Sequence, residues 1–196
     1  LGNEIDGDQI MAVCGKDLMS RGELPGSAVV ATVMSNLGLH MFCRERGMQL
    51  ICTDVGDRNV LEKMEECGYV LGGEQSGHMI FRRFATTGDG QLTALQLLAL
   101  LHASGKKASQ LVADCKRYPQ LLVNVAVADK AKKAEIMANA ALKAAIAQQE
   151  ARLAGDGRIL VRPSGTEALI RVMVEAKDEE TAKSCAHELA DLIKTL

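Results

Sequence analysis

The sequence is poor in aromatic residues: only 3% of its 196 residues are Phe, Tyr or Trp, and Trp is absent. Its core must therefore be aliphatic, and the stacking surface that single-stranded nucleic acid requires has few residues to form it. Charges of one sign do not gather either, because 23 Lys and Arg are spread among 25 Asp and Glu. We therefore expect no nucleic-acid partner and no anionic membrane partner.

Paired cysteine motifs are also missing. With no Cys-x-x-Cys spacing, the cysteines are interpreted as buried thiols of a reducing cytoplasm rather than as disulfides or zinc ligands. They are Cys14, Cys43, Cys52, Cys67, Cys115 and Cys185. No apolar run reaches the length of a membrane span, and the N-terminus lacks the layout of a signal peptide. The opening Leu-Gly-Asn-Glu, without Met, suggests a piece of a longer protein.

The first part of the chain predicts an α/β domain over residues 1–116. Ala28 to Met34 is apolar throughout, as in a strand buried on both faces, and Leu50 to Thr53 predicts the next strand. A helix capped by Ser35-Asn36 between them completes a βαβ pattern. Tyr69 to Leu71 predicts a third strand, and Gln91 to Ala103 predicts a helix buried in the middle of the domain.

The pattern changes near Arg117-Tyr118-Pro119, where we predict a domain boundary and a second domain over residues 117–196. Its predicted elements are a strand at Gln120 to Val127, one long helix at Lys130 to Arg152, two strands, and a last helix from Asp178. The order β-α-β-β-α indicates a small α+β domain with an antiparallel sheet and helices on one face.

The loop between the last two strands has the composition of an anion site. Arg162, Ser164, Gly165 and Thr166 offer a forked guanidinium, hydroxyl donors and backbone N–H groups that an anion can approach closely. Arg171 on the following strand could add a second positive charge. The plain alternative is a solvent-exposed turn, because Pro-Ser-Gly is ordinary turn chemistry.

Two other polar loops follow predicted strands. The seven residues from Gly72 to His78 combine glycines with hydrogen-bonding side chains, which suits a polyhydroxylated ligand; a hairpin turn pairing back through Met79 to Phe81 is the alternative. Asp54 to Asn59 follows the second strand, at the sheet edge where open α/β sheets bind ligands, although a capped turn explains it equally well. Near the N-terminus, Asp6 with Gln9 fits a capping box better than a metal loop, because further metal ligands are missing.

Taken together, the stretches DGDQIMA, MSNLGL, VGDRNVLEKM, GEQSGH, TTGDG and SGTEALIRVMVEA resemble the α-D-phosphohexomutase superfamily, most closely its bacterial phosphoglucosamine mutase branch. Gln75 agrees with that branch, because the phosphomannomutase/phosphoglucomutase branch more often has Met there. One departure is Ala168, where the family usually has Pro; it removes no ligand. The resemblance covers essentially the whole chain.

The resemblance implies a Rossmann-like α/β/α domain with a mixed sheet, the sugar-binding domain 3 of the family, at residues 1–116. A TBP-like α+β domain, the phosphate-binding domain 4, is implied at 117–196. The implied site residues comprise a sugar set and a phosphate set. Sugar contacts fall to Asp57, Arg58, Glu74, Gln75, Ser76 and His78, and phosphate contacts to Arg162, Ser164, Gly165, Thr166 and Arg171. Lys16 and His78 are candidate proton-transfer helpers.

The implied activity is that of an intramolecular phosphotransferase: glucosamine 6-phosphate is converted to glucosamine 1-phosphate through a phosphoserine and a hexosamine 1,6-bisphosphate, for cell-wall amino-sugar synthesis in the cytoplasm. The family's phosphoserine loop and its Mg²⁺ loop do not occur in this sequence. The chain is therefore expected to be the substrate-binding half, inactive alone, with the N-terminal domains of the same polypeptide as partner. The alternatives are a portion of a phosphomannomutase/phosphoglucomutase and a stand-alone phosphosugar-binding module.

Overall fold

The computed structural model describes residues 2–196. The chain divides into two compact units, Leu1–Arg117 and Tyr118–Leu196. Each unit has its own sheet and its own aliphatic core. Within the described residues, no helix is both long enough and apolar enough to cross a membrane.

The first unit is an α/β unit around a mixed four-stranded sheet of order β2-β1-β3-β4. Strand β1 pairs in parallel with β2 and β3, and β4 pairs antiparallel to β3. This confirms the predicted α/β class and mixed sheet. Its elements are α1 (Gly7–Ser20), β1 (Ala28–Thr32), α2 (Leu37–Glu45), β2 (Gln49–Thr53), α3 (Asp57–Cys67), β3 (Leu71–Gly73), β4 (Met79–Phe81), α4 (Gly90–Ser104) and α5 (Ala108–Leu111).

Strand β1 is central, and all five of its residues are buried, as predicted from its apolar run. Strand β2 lies at the edge of the sheet and leaves Cys52 exposed. Cys67, the last residue of α3, is also exposed, so the prediction that the cysteines are buried is wrong for these two. For Cys14, burial raises the pKa of the thiol to about 12.

The N-terminus of α1 is capped as predicted, because the Asp6 carboxylate accepts a hydrogen bond from Gln9 N at 3.0 Å. The reciprocal half of the capping box is missing: Gln9 Nε2 donates instead to Cys115 O. Asp8 is buried, and its Oδ2 accepts from Asn36 N at 2.6 Å. Asp8 therefore ties α1 to the start of α2, and Gln9 ties it to the end of the unit.

The prediction that the Gln91 to Ala103 helix lies buried in the domain is wrong. Helix α4 packs one side on the core through Leu92, Leu97 and Leu100. Leu95 and Leu98, on the other side, are 65% and 58% exposed. The helix is apolar on most of its circumference, yet within this unit only one side has a core to face.

The third predicted strand begins two residues late: β3 is Leu71–Gly73 rather than Tyr69 to Leu71. It forms an antiparallel hairpin with β4. The hairpin that the sequence offered as an alternative for the glycine-rich loop is therefore present in the backbone. The loop left between the strands, residues 74–78, is wider than a tight turn and still presents its polar side chains.

The second unit is a small α+β unit with an antiparallel sheet of order β5-β7-β6, as predicted. The long helix predicted at Lys130 to Arg152 is wrong: Asn139 takes an extended conformation (φ −62°, ψ 130°) and caps a second helix by accepting from Ala141 N. The elements are β5 (Gln120–Ala126), α6 (Lys130–Ala138), α7 (Ala140–Leu153), β6 (Gly157–Pro163), β7 (Leu169–Ala176) and α8 (Glu179–Thr195).

Alternation along β7 gives the sheet of the second unit two different faces. Ile170, Val172 and Val174 belong to the buried core with α8 residues such as Leu189. Because successive side chains in a strand point to opposite faces, Arg171 points to the other face. Arg171, one of the two arginines expected to bind an anion, thus lies on a strand whose alternate residues are anchored in the core.

Candidate functional site

The residue 74–78 loop of the first unit is bound to the residue 54–58 loop. Glu74 Oε1 accepts a hydrogen bond from Gly56 N at 3.1 Å, directly before α3 begins. Its carboxylate is partly exposed, and no partner of Oε2 is found within residues 2–196. The structure therefore brings together two of the three polar loops that the sequence singled out, and it leaves one carboxylate oxygen able to accept from a ligand.

The N-terminus of α1 supports the same loop from beneath. Gly7 N donates to Gln75 O at 2.9 Å. A Cβ at Gly7 would lie 2.1 Å from Glu74 O and 2.8 Å from Gly77 N, so the approach is possible only for glycine. Ser76 is exposed at the tip of the loop, while Gln75 Nε2 is buried without a partner among the described residues.

His78 ends the loop and lies beside Asp57. Its Nε2 is 3.4 Å from Asp57 Oδ2, but the two atoms do not form a hydrogen bond. Gly88 covers the ring: a Cβ there would fall 2.2 Å from His78 Nε2 and 2.4 Å from Cε1. The Thr86 to Gly90 stretch, one of those that carry the family resemblance, therefore packs against a predicted site residue.

Arg58 and Lys16 form ion pairs with residues outside the loop at residues 74–78. Arg58 Nε donates to Glu62 Oε1 at 2.7 Å one turn along α3, and its side chain is 86% exposed. This hydrogen bond raises the pKa of Arg58. Lys16 Nζ lies 3.5 Å from Asp114, and both side chains are half exposed. In the geometry described, neither cation contacts the loop at residues 74–78, so the sugar-binding role of Arg58 and the proton-transfer role of Lys16 stay predictions.

The Arg162 to Glu167 stretch joins β6 to β7 in the second unit. The last cross-strand pair is Pro163 with Ile170, and Ser164 N donates to Leu169 O at 2.9 Å to close the loop. The loop is also tied to the end of β5, because Val127 N donates to Ala168 O at 3.0 Å. Backbone hydrogen bonds therefore hold this loop at the end of the sheet, while its residues 165–168 are exposed, as the alternative of a solvent-exposed turn also requires.

Two arginines lie directly opposite each other at the base of this loop. Arg162 on β6 and Arg171 on β7 are cross-strand partners, so their side chains share a face of the sheet. Burial lowers the pKa of Arg162, and the positive charge of Arg171 lowers it further. Arg171 Nη2 donates to Glu167 Oε2 at 2.9 Å, but its buried Nε has no partner within residues 2–196. Like charges placed opposite one another are destabilising unless an anion joins them.

The small residues of the loop divide into a buried hydroxyl and exposed donors. Ser164 is 3% exposed, and its Oγ accepts from Glu167 N at 3.2 Å. Gly165 and Thr166 are exposed, and their N–H groups have no partner among the described residues. A Cβ at Gly165 would contact nothing, and its φ is not positive, so neither strain nor crowding within the unit accounts for glycine.

Lys133 is a functional candidate that the sequence analysis missed. It lies on α6, is 8% exposed, and donates from Nζ to Ser164 O at 2.6 Å and to Glu167 O at 3.0 Å. No spacing rule links a helix lysine to a loop thirty-one residues later. The sequence signal at this position is a short Lys-Ala-Lys-Lys run, and such runs usually face solvent, so it does not indicate a functional role.

The described residues contain no group of three or more His, Cys, Asp or Glu side chains that could hold a metal ion. The donor set of residues 2–196 therefore does not fit the Mg²⁺ that the family resemblance implies.

Comparison with known proteins shows which family has this sequence and fold. Residues 6–118 match the model of phosphoglucomutase/phosphomannomutase alpha/beta/alpha domain III, and residues 122–192 match the model of the phosphoglucomutase/phosphomannomutase C-terminal domain. Phosphoglucosamine mutases from Ligilactobacillus salivarius and Geobacillus kaustophilus are each 51% identical over 193 residues. That from Lactiplantibacillus plantarum is 53% identical over 194 residues.

These alignments include 98% to 99% of this chain but only 42% of the length of each relative. Among solved structures, Aspergillus fumigatus N-acetylphosphoglucosamine mutase superposes with a TM-score of 0.82 at 22% identity, over 97% of this chain and 43% of that one. Its complex with GlcNAc-6P and magnesium superposes with a TM-score of 0.79, over 97% of this chain and 44% of that one. At such identity the superposition supports the fold, whereas the two family models cover nearly all of the chain. The chain therefore belongs to the phosphoglucomutase/phosphomannomutase family, and it comprises that family's domain III and C-terminal domain.

Proposed function

We propose that this chain is the substrate-binding portion of a phosphoglucosamine mutase, which interconverts glucosamine 6-phosphate and glucosamine 1-phosphate. The observation that carries the proposal is the pair of opposed arginines beneath a loop in which the N–H groups of Gly165 and Thr166 have no partner in the described chain. Relatives with 51% to 53% identity named phosphoglucosamine mutase favour glucosamine phosphates over the phosphates of glucose or mannose.

In the second unit, Arg162 and Arg171 would bond the oxygens of the substrate phosphate that is not reacting. The N–H groups of Gly165 and Thr166 and the Thr166 hydroxyl would add neutral donors. Ser164 would act from behind: its buried hydroxyl shapes the loop by accepting from Glu167 N. A dianion there would relieve the repulsion between the two guanidinium groups.

In the first unit, Glu74 and Ser76 would bind sugar hydroxyls. Glu74 Oε1 accepts a hydrogen bond from Gly56 N, which would fix the carboxylate and leave Oε2 for a sugar hydroxyl. Gln75 Nε2, buried without a partner in the described chain, would add a donor, and His78 beside Asp57 could donate to or accept from a hydroxyl. Asp57 and Arg58 would flank the sugar.

The complete reaction would transfer a phosphoryl group from a phosphoserine to the substrate, forming a hexosamine 1,6-bisphosphate, and return the other phosphate to the serine. Mg²⁺ would supply charge neutralisation for that transfer. Both the serine and the metal site belong, in this proposal, to the part of the relatives that the chain does not span. The residues described here contribute positioning, which for phosphoryl transfer is a large share of catalysis. The exposed thiols of Cys52 and Cys67 suit a reducing cytoplasm, the location we propose.

The test is an NMR titration of the 196-residue chain with glucosamine 6-phosphate, with inorganic phosphate as a parallel ligand. We expect both ligands to shift the amide signals of Gly165 and Thr166, and only the sugar phosphate to shift those of Glu74 and Ser76. Arg162→Met should weaken binding by about 2 kcal/mol or more, because a charged hydrogen-bonded contact is lost.

The matched control is Arg152→Met, which removes the same charge from α7, where Arg152 pairs with the half-exposed Glu188. It should leave both affinities unchanged. Unchanged binding in Arg162→Met would refute the phosphate assignment. If inorganic phosphate shifts the amide signals of Glu74 and Ser76 as much as glucosamine 6-phosphate does, the sugar assignment is refuted.

A further inference from the structure

Lys133 is an unusual residue for the interior of the second unit. Its side chain is 8% exposed, and on the same helix Ile136 is 3% exposed within the core. The neighbouring Lys132 instead reaches Glu135 on the solvent side of α6, with Nζ to Oε1 at 3.1 Å. Burying a lysine ammonium is costly unless hydrogen bonds compensate it, so a specific arrangement must hold it.

The compensation comes from the loop that we assign to phosphate. Lys133 Nζ donates to the carbonyl oxygens of Ser164 and Glu167, at 2.6 and 3.0 Å. No carboxylate pairs with this ammonium in residues 2–196. The cation is therefore balanced only by carbonyl dipoles at the back of the loop.

Those hydrogen bonds have a geometric consequence at the front of the loop. In a planar trans peptide the C=O and the following N–H point in opposite directions. Because Ser164 O points to Lys133, the Gly165 N–H points away from α6, and it has no partner in the described chain. The same argument turns the N–H of Ala168 away from α6, because Glu167 O also points to Lys133.

We propose that Lys133 is a positioning residue for phosphate binding: it fixes the peptide planes of the Ser164 to Glu167 loop so that backbone N–H groups face the anion. Its positive charge lies behind the same loop and adds to the field of Arg162 and Arg171. This inference rests on the phosphate assignment proposed above. Lys133 itself contacts the loop and not the ligand.

The test compares Lys133→Met, Lys133→Arg and the control Lys132→Met in the 196-residue chain, by NMR titration with inorganic phosphate at constant ionic strength. Lys133→Met should weaken binding roughly tenfold, the factor that about 1.4 kcal/mol gives, and should shift the Gly165 amide signal before phosphate is added. Lys133→Arg, which keeps the charge and can donate to both carbonyls, should recover part of the affinity. Lys132→Met should match the unmodified chain.

Two outcomes would overturn the proposal: unchanged phosphate affinity in Lys133→Met, or an unmoved Gly165 amide. If Lys133→Met does not fold, the Lys133 side-chain ammonium signal of the unmodified chain decides, since phosphate should shift it while leaving that of Lys132 in place. A Lys133 signal that does not move at saturating phosphate would count against the inference. Failure of the phosphate assignment is distinguishable, because Arg162→Met would then also bind phosphate like the unmodified chain.

Discussion

At the scale of single residues, the first unit depends on close approaches that leave no room for a side chain. Gly88 lies flat against the His78 imidazole, and Gly7 lies against the backbone of the Glu74 to Gly77 turn. The two positions differ in which atoms would have to move if a Cβ were added. Gly7 meets backbone atoms, whereas Gly88 meets the far end of a side chain that is 39% exposed and can rotate.

We therefore expect Gly88→Ala to displace the His78 ring away from Asp57 at little cost in stability, less than about 1 kcal/mol. The measurement is the pair of ring C–H signals of His78 in a two-dimensional NMR spectrum, together with the thermal midpoint. Both ring signals should move while the midpoint stays nearly constant.

Gly90→Ala is the matched control for Gly88→Ala, because a Cβ at Gly90 meets nothing within 4 Å. It should leave the His78 signals in place. If the His78 signals of Gly88→Ala coincide with those of the unmodified chain, the described packing of the ring is incorrect.

At the scale of elements, α4 shows how far periodicity alone can mislead. A helix that is apolar on most of its circumference is usually buried, and so the sequence predicted. In the structure Leu92 packs on the core while Leu95 and Leu98 are mostly exposed. Exposure depends on which elements surround a helix, and its own composition does not specify them.

The two sides of α4 should therefore differ in stability measurements on this chain. Leu92→Ala should lower the free energy of unfolding by about 1 to 3 kcal/mol, because packed apolar area is lost. Leu95→Ala should change it by no more than about 0.5 kcal/mol, because its side chain is already in water. Urea denaturation of the two variants checks this.

Equal losses for Leu92→Ala and Leu95→Ala would contradict the described orientation of α4. Because both substitutions remove the same atoms from the same helix, differences in helix propensity cancel between them.

At the scale of the whole molecule, the chain is about two fifths of the length of its relatives. The phosphosugar site that we propose uses donors and acceptors of residues 2–196, and these residues lack a cluster able to hold a metal ion. The second unit supplies cations and N–H groups, and the first supplies a held carboxylate and a polar loop tip. Neither set contains a group assigned to accept and return a phosphoryl group.

We accordingly expect the 196-residue chain, incubated with glucosamine 6-phosphate and a hexosamine 1,6-bisphosphate, to form no glucosamine 1-phosphate. The physical reason is that positioning without a phosphoryl donor and acceptor cannot complete the transfer. Phosphorus-31 NMR of the reaction mixture measures this directly. Detectable turnover would show that catalysis resides in this chain and would require a different assignment of its residues.

The sequence by itself determined features that depend on neighbours a few residues apart. The cap of α1 by Asp6, the cap of α2 by Asn36, the buried β1 and the antiparallel hairpin around Arg162 to Glu167 all follow from local hydrogen bonds or from the alternation of apolar residues. One local feature was not predicted. Asn139 divides the predicted long helix into two, because it takes an extended conformation and caps the second helix.

Only the tertiary structure decided which distant residues meet. The opposition of Arg162 and Arg171 depends on strand register, the cover of His78 by Gly88 depends on how a loop packs, and the hold of Lys133 on Ser164 and Glu167 depends on where α6 lies. Such contacts join atoms that chain connectivity leaves far apart, so their distances are set by the packing of whole elements. The loop from Arg162 to Glu167 was recognisable from its residue types, but the direction of its N–H groups required the fold.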